Sequence, residues 1–255
     1  MDSQLIFDFS TDVSGVNIPL KINNPFGAHI PEISKIAAKE FQAFIALESH
    51  KWGYDFRTQR GKMFGVLVVQ KNDDSYHYLG TVSGKFPGDH SCHKFVPTIF
   101  DHSAGDFFIN KGMTELTEIG SQIKKSNNPS EIISLKEIRR QKSMALQQRI
   151  FEHYHFLNLS GKEKSLLEIF KHSARGIPPA GAGECAAPKL LQYAIKHQLK
   201  PIALAEFWWG NPTKEKEHHV FYPACRDKCR PILNYMLEDS ELFIKGATVL
   251  EKDKL

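Results

Sequence analysis

"GAGECAAPKLLQYAIKHQLKPIALAEFWWG", residues 181–210, places a helix and a strand back to back. Gly181 and Gly183 admit backbone conformations that other residues resist. Pro188 cannot lie deep in a helix, so the helix begins at Ala186 or Ala187 and runs to about residue 198. "KPIALAEFWWG" (200–210) is an apolar run ending in glycine, the pattern of a buried strand. Helices and strands that alternate in this way favour an α/β sandwich.

The same reading extends toward the N-terminus. "IPEISKIAAKEFQAFIAL" (30–47) spaces Ile33, Ile36, Ala37, Phe41, Phe44 and Ile45 as one face of a helix. "GKMFGVLVVQKNDDSYHYLGTVSGK" (61–85) reads as a hairpin, with Phe64 to Val69 as a central strand covered on both faces. Residues 1–29 suit an N-terminal arm or short strands. Residues 87–175 read as a mainly helical insertion. It has a loop at 86–101, helices over 107–127 and 131–157 with "NNPS" between them, and a further helix near 161–172. After residue 210 come the charged loop "NPTKEKEHH", the segment "VFYPACRDKC", the helical "PILNYML" and a last strand at "LFIKGATVL" (242–250). A helix running from residue 223 would be broken by Pro231, which puts Cys225 and Cys229 on a tight turn ahead of it.

With 255 residues, 41% of them hydrophobic and 24% charged, the chain can bury a substantial core. The expectation is one α/β domain over 1–255, a three-layer sandwich carrying the insertion. A net charge of +4 permits an anionic partner without requiring one. No apolar run reaches the length of a membrane span, and "MDSQLIFDFSTDV" lacks the pattern of a secretory signal. A cytoplasmic location with reduced cysteines is therefore expected, and no membrane partner.

Three of the four cysteines fall around two short segments. Cys225 and Cys229 are four apart, so on a helical turn their thiolates share a face and could hold one ion, with His218 and His219 close upstream. Packing of small apolar side chains is the alternative. Glu184 and Cys185 fall at a helix N-terminus, where the helix dipole favours a carboxylate or thiolate. Glu184 could equally be a plain capping residue. Cys185 could also be a nucleophile with His218 or His219 as its base.

Taken together, these segments resemble the zinc deaminases, which set ligands at the N-termini of two adjacent helices and add a non-ligand Glu that shuttles protons. The order hairpin, Glu184/Cys185 helix, strand, Cys225/Cys229 helix follows that pattern. The resemblance implies zinc as cofactor, with Cys185, Cys225, Cys229 and His219 as candidate ligands and Glu184, with Cys185, as the catalytic pair. The spacing departs from the pattern at two places. The family places its ligand two residues before the Glu, where this chain has Ala182, and its cysteine pair is spaced by two residues rather than three.

The segment "PPAGAGECAAPKLLQYAIKHQLKPIALAEFWWGNPTKEKEHHVFYPACRDKCRPILNYML", with "GKMFGVLVV", "FVPTIFD" and "SMALQQRIFEHYHFLNLSGKEKSLLEIF", resembles a second family region. It is similar to the long N-terminal extension ahead of the catalytic domain in RluA-type RNA pseudouridine synthases, over roughly residues 30–237. No "RLD"-type motif with the synthase's catalytic Asp occurs in the sequence. The resemblance therefore implies an RNA-modification-associated chain without synthase activity. RNA and a separate pseudouridine synthase are its expected partners. Trp208, Trp209, Lys189 and Lys214 are the candidate RNA or substrate contacts, since aromatic rings beside basic groups suit unpaired bases and phosphates. The alternative is a non-catalytic RNA-binding or synthase-partner module in which the Glu/Cys cluster is structural.

Overall fold

The computed structural model describes residues 3–86, 92–100 and 102–238. Its centre is β2 (Lys62–Gln70), buried along most of its length because apolar side chains alternate to both of its faces. β3 (Tyr76–Val82) returns antiparallel to it, and β1 (Ile6–Asp8) pairs with the far edge of β3. On the other side lies β6 (Lys200–Trp209), also antiparallel to β2, giving the sheet order β1-β3-β2-β6. Pro201 is accommodated in β6 where the ladder slips past Ile202.

Helices cover both faces of this sheet. α1 (Glu32–Glu48) buries Ile33, Ala37, Phe41 and Ile45 at helical spacing. These pack with Phe64, Val66, Val68, Ala203, Ala205 and Phe207 on one face. On the other face, Leu67, Val69, Leu79 and Leu204 meet α5 (Ala186–Lys196) and α6 (Arg226–Met236). The expected α/β class is thus present: a four-stranded antiparallel sheet with six helices among the described residues. The expected strand at 242–250 lies outside the described residues.

The insertion is mainly helical. α2 (His102–Lys125) and α3 (Pro129–Glu152) form a long antiparallel hairpin. Asn128 caps α3 by accepting from the Ser130 amide, with Pro129 at the first helical position. α3 stops earlier than the expected residue 157, because the chain turns into a small ladder of β4 (His155–Leu157) and β5 (Glu163–Ser165). The helix expected near 161–172 is shortened for the same reason. α4 (Leu166–Lys171) starts where Ser165 and Glu168 form a reciprocal capping box. This small ladder clamps the two site-bearing helices. The Gln192 side chain of α5 accepts from the Leu157 amide at 2.8 Å, and the Leu159 amide donates to the Met236 carbonyl of α6 at 2.9 Å.

One expectation about α6 is corrected. The helix does not wait for Pro231 but begins at Arg226 and contains it. A proline this near the start removes only the bond to the Asp227 carbonyl, and α6 tolerates that loss. Cys229 consequently lies one turn inside the helix and is buried.

Candidate metal centre

Gly183, at φ +91°, turns the chain into α5, and a side chain there would meet the Tyr154 ring. Cys185 is then the N-cap of α5, with an extended backbone (φ −72°, ψ 159°). Two of the buried helix-start amides, which have no partner within the helix, find one at the end of β3 and on β6. Ala186 N–H donates to Ser83 Oγ at 3.1 Å, and Ala187 N–H to Glu206 Oε1 at 3.2 Å. Gly65 makes this seat possible, since a Cβ there would stand 2.8 Å from Ala186 Cβ.

Cys225 is the N-cap of α6, and Cys229 follows one turn later on the same face. The two N-caps bring three sulfurs together. Cys185 Sγ lies 3.9 Å from Cys225 Sγ, Cys225 Sγ lies 3.2 Å from Cys229 Sγ, and all three fall within 4.8 Å of one another. Tetrahedral zinc–thiolate bonding at about 2.3 Å sets sulfurs roughly 3.8 Å apart, so the donor set fits one zinc ion. Cys229 is buried, Cys185 half-buried and Cys225 exposed, which leaves one side of the cluster open to solvent. Hydrogen bonding with its two neighbours pulls the Cys225 thiol well below its usual range, and pushes Cys185 and Cys229 up. Two helix N-termini aimed at the cluster favour its negative charge.

Two glutamates sit on or against the segment that carries Cys185: Glu184 precedes it in the chain, and Glu206 pairs with the Ala187 amide. Glu184 Oε1 accepts from the Tyr154 hydroxyl. Glu206, on β6, is 6% exposed, and burial pushes its carboxyl up to about 7 despite the Ala187 amide. Reading the sequence for motifs missed Glu206. Its signal was there: it is the single charge in the apolar run 201–210.

Other expected site residues lie elsewhere. His219 is not at the cluster. Its backbone is left-handed (φ 67°), and its Nδ1 pairs with Gln42 Oε1 of α1 at 2.8 Å, on the opposite face of the sheet. His218 accepts from the Gly210 amide at 3.0 Å and stacks edge-on against Trp209 on that same face. The reading of Cys185 as a nucleophile thus loses both of its candidate bases. Trp208 and Trp209 are 6% and 5% exposed, and the Trp208 indole donates to the Asn211 carbonyl at 3.0 Å. As core rings they are not platforms for stacking bases. Lys189 is also buried. Its Nζ donates to the Gly84 carbonyl at 3.0 Å, and burial pulls the ammonium down to about 8 against the attraction of Glu184 and Cys185. Lys214 is exposed on the loop after β6. Cys92, the fourth cysteine, packs on the α1 face, and burial raises its thiol.

No described helix is long and apolar enough to cross a membrane. Comparison with known proteins gives no significant match to any family model, curated protein or solved structure.

Proposed function

We propose that this chain holds a catalytic zinc centre and hydrolytically removes an exocyclic amine from a nucleobase-type substrate. The observation that carries this reading is the convergence of Cys185, Cys225 and Cys229 from two helix N-termini, open on the Cys225 side. Catalytic zinc sites use three protein ligands and keep a fourth position open. A bound zinc ion would supply the Lewis acidity that makes water a nucleophile near neutral pH. In the net reaction the ring carbon gains a C–O bond from water and loses its C–N bond. One proton of the water ends on the adjacent ring nitrogen, and the other leaves with ammonia. A carboxyl that titrates near neutrality suits such proton transfer. Glu206 has that property, and Glu184 stands next to Cys185 in the chain. RNA as the carrier of the base and a separate synthase as partner rest solely on the resemblance read in the sequence over residues 30–237.

One observation favours a second reading. Ala187 stands two residues after Cys185, where the deaminases carry their Glu after the ligand. In that reading the metal only fastens α5 to α6, in a non-catalytic RNA-associated module. Elemental analysis and an ammonia assay on cytidine, adenosine, guanosine and unpaired RNA separate the two. The enzyme reading expects one zinc per chain, lost in Cys225→Ser, and ammonia release from at least one substrate. One zinc with no ammonia from any of them selects the fastening role. A chain purified without zinc that also fails to take it up sinks both.

A further inference from the structure

A second group of reactive side chains stands at the turn between β2 and β3. It lies at the opposite end of β3 from Ser83 and the start of α5. Ser75 immediately precedes β3, His77 is the second residue of that strand, and Asp8 is the cross-strand partner of His77 on β1. Asp8 Oδ1 lies 2.7 Å from His77 Nδ1, and His77 Nε2 lies 2.7 Å from Ser75 Oγ. We propose that these residues form an acyl-transfer site, with Ser75 as nucleophile, His77 as general base and Asp8 as the group that orients the imidazole. This activity does not rest on the zinc reading.

Each role follows from the contacts. The Asp8 carboxylate can only accept, so it takes the Nδ1 proton and leaves a lone pair on Nε2 facing the hydroxyl. Both ring nitrogens are thereby engaged, and with its side chain 13% exposed the His77 ring is held in one orientation. The turn fixes the nucleophile. Asp74 is left-handed (φ 61°), and the Lys71 amide donates to the Ser75 carbonyl at 3.0 Å. Ser75 is half-buried beside the exposed residues 72–74, which leaves an approach from solvent. Asp73 Oδ1 accepts from the Ser75 amide at 3.0 Å and also contacts the hydroxyl, so it competes with His77 for the hydroxyl proton.

In the first step Ser75 Oγ bonds to the acyl carbon while its proton passes to His77 Nε2. The leaving group departs with that proton. Water, activated by the same imidazole, then cleaves the acyl–serine ester, releasing the acid and restoring the hydroxyl. Both described partners of Ser75 Oγ, His77 and Asp73, compete as acceptors, and neither is a donor preset for a tetrahedral oxyanion. The matching substrate therefore carries a good leaving group, as a thioester or aryl ester does and an amide does not.

The test follows hydrolysis of p-nitrophenyl acetate, an aryl ester, by the full chain, with the acetylated residue mapped by mass spectrometry. Turnover and an acetyl group on Ser75 are expected, both lost in Ser75→Ala. His77→Gln should slow acetylation about a hundredfold. Asp8→Asn should lower kcat with KM unchanged, as loss of an orienting group does and loss of a hairpin brace does not. Asp73→Asn keeps an acceptor for the Ser75 amide but removes the competing charge, and should speed acetylation. Acetylation that spares Ser75, undiminished acetylation in His77→Gln, unchanged kcat in Asp8→Asn, or acetylation slowed by Asp73→Asn would each overturn the assignment. Zinc content and ammonia release do not enter these readouts, so this site and the thiol centre stand or fall separately.

Discussion

At Glu206 two effects oppose each other. Removal from water favours the neutral carboxyl, while the Ala187 N–H favours the charged one, and burial prevails at about 7. The folded chain therefore holds this proton more tightly than the unfolded chain, whose Glu titrates near 4.5. The stability contributed by the neutral form is complete below about pH 4.5 and is lost as pH rises through about 7, a span worth roughly 3 kcal/mol. Thermal melts of the chelated protein from pH 4.5 to 7.5 should show stability falling with pH, and Glu206→Gln should flatten that slope. Equal slopes in the two proteins would show that Glu206 carries no such proton. Motif spacing directed attention to Glu184 because it adjoins a cysteine in sequence. Glu206 reaches the same helix start only through strand pairing opposite Gly65, a relation no local window contains.

For the elements, the seat of α5 on β2 decides where Cys185 stands. Gly65→Ala would place a methyl group 2.8 Å from Ala186 Cβ, closer than such atoms approach, so the start of α5 must lift. The expected cost is about 1–3 kcal/mol. Zinc affinity, read by competition with a chromogenic chelator, should fall at least tenfold while the far-ultraviolet spectrum stays native. Unchanged affinity would mean that the helix start is not what positions the thiol. The long elements were legible in sequence because each carries its own period: α1, the β2–β3 hairpin, α5 and β6 all fall within a few residues of their expected places. The three-residue strands β4 and β5 were not, since "HFL" and "EKS" are too short and mixed to show alternation. His219 was misplaced because a left-handed backbone at that residue carries the chain around the end of β6 to the α1 face.

Across the whole molecule, the thiol centre and the α2–α3 hairpin lie in parts of very different burial. Nearly all of α3 is exposed, and Phe151, close to its end, is its buried residue. Ion pairs such as Lys142–Glu115 at 2.9 Å and Arg140–Glu137 at 2.7 Å decorate the hairpin's surface, where each contributes little. Replacing residues 118–137 with a short turn should therefore leave one zinc per chain and lower the melting temperature by less than about 5 °C. A loss of zinc, or a drop beyond about 10 °C, would mean that the outer hairpin supports the centre.

The N-caps of α5 and α6 stand 40 positions apart along the chain, yet their sulfurs lie 3.9 Å apart. A metal bound there ties that length into a closed loop containing all of β6. If the chain is pulled from its two ends, force passes from α6 to α5 through the metal–sulfur bonds and bypasses the strand. The extension trace of the zinc-loaded protein should lack roughly 140 Å of contour length that the chelated protein releases. That length should reappear in a second step when the bonds rupture.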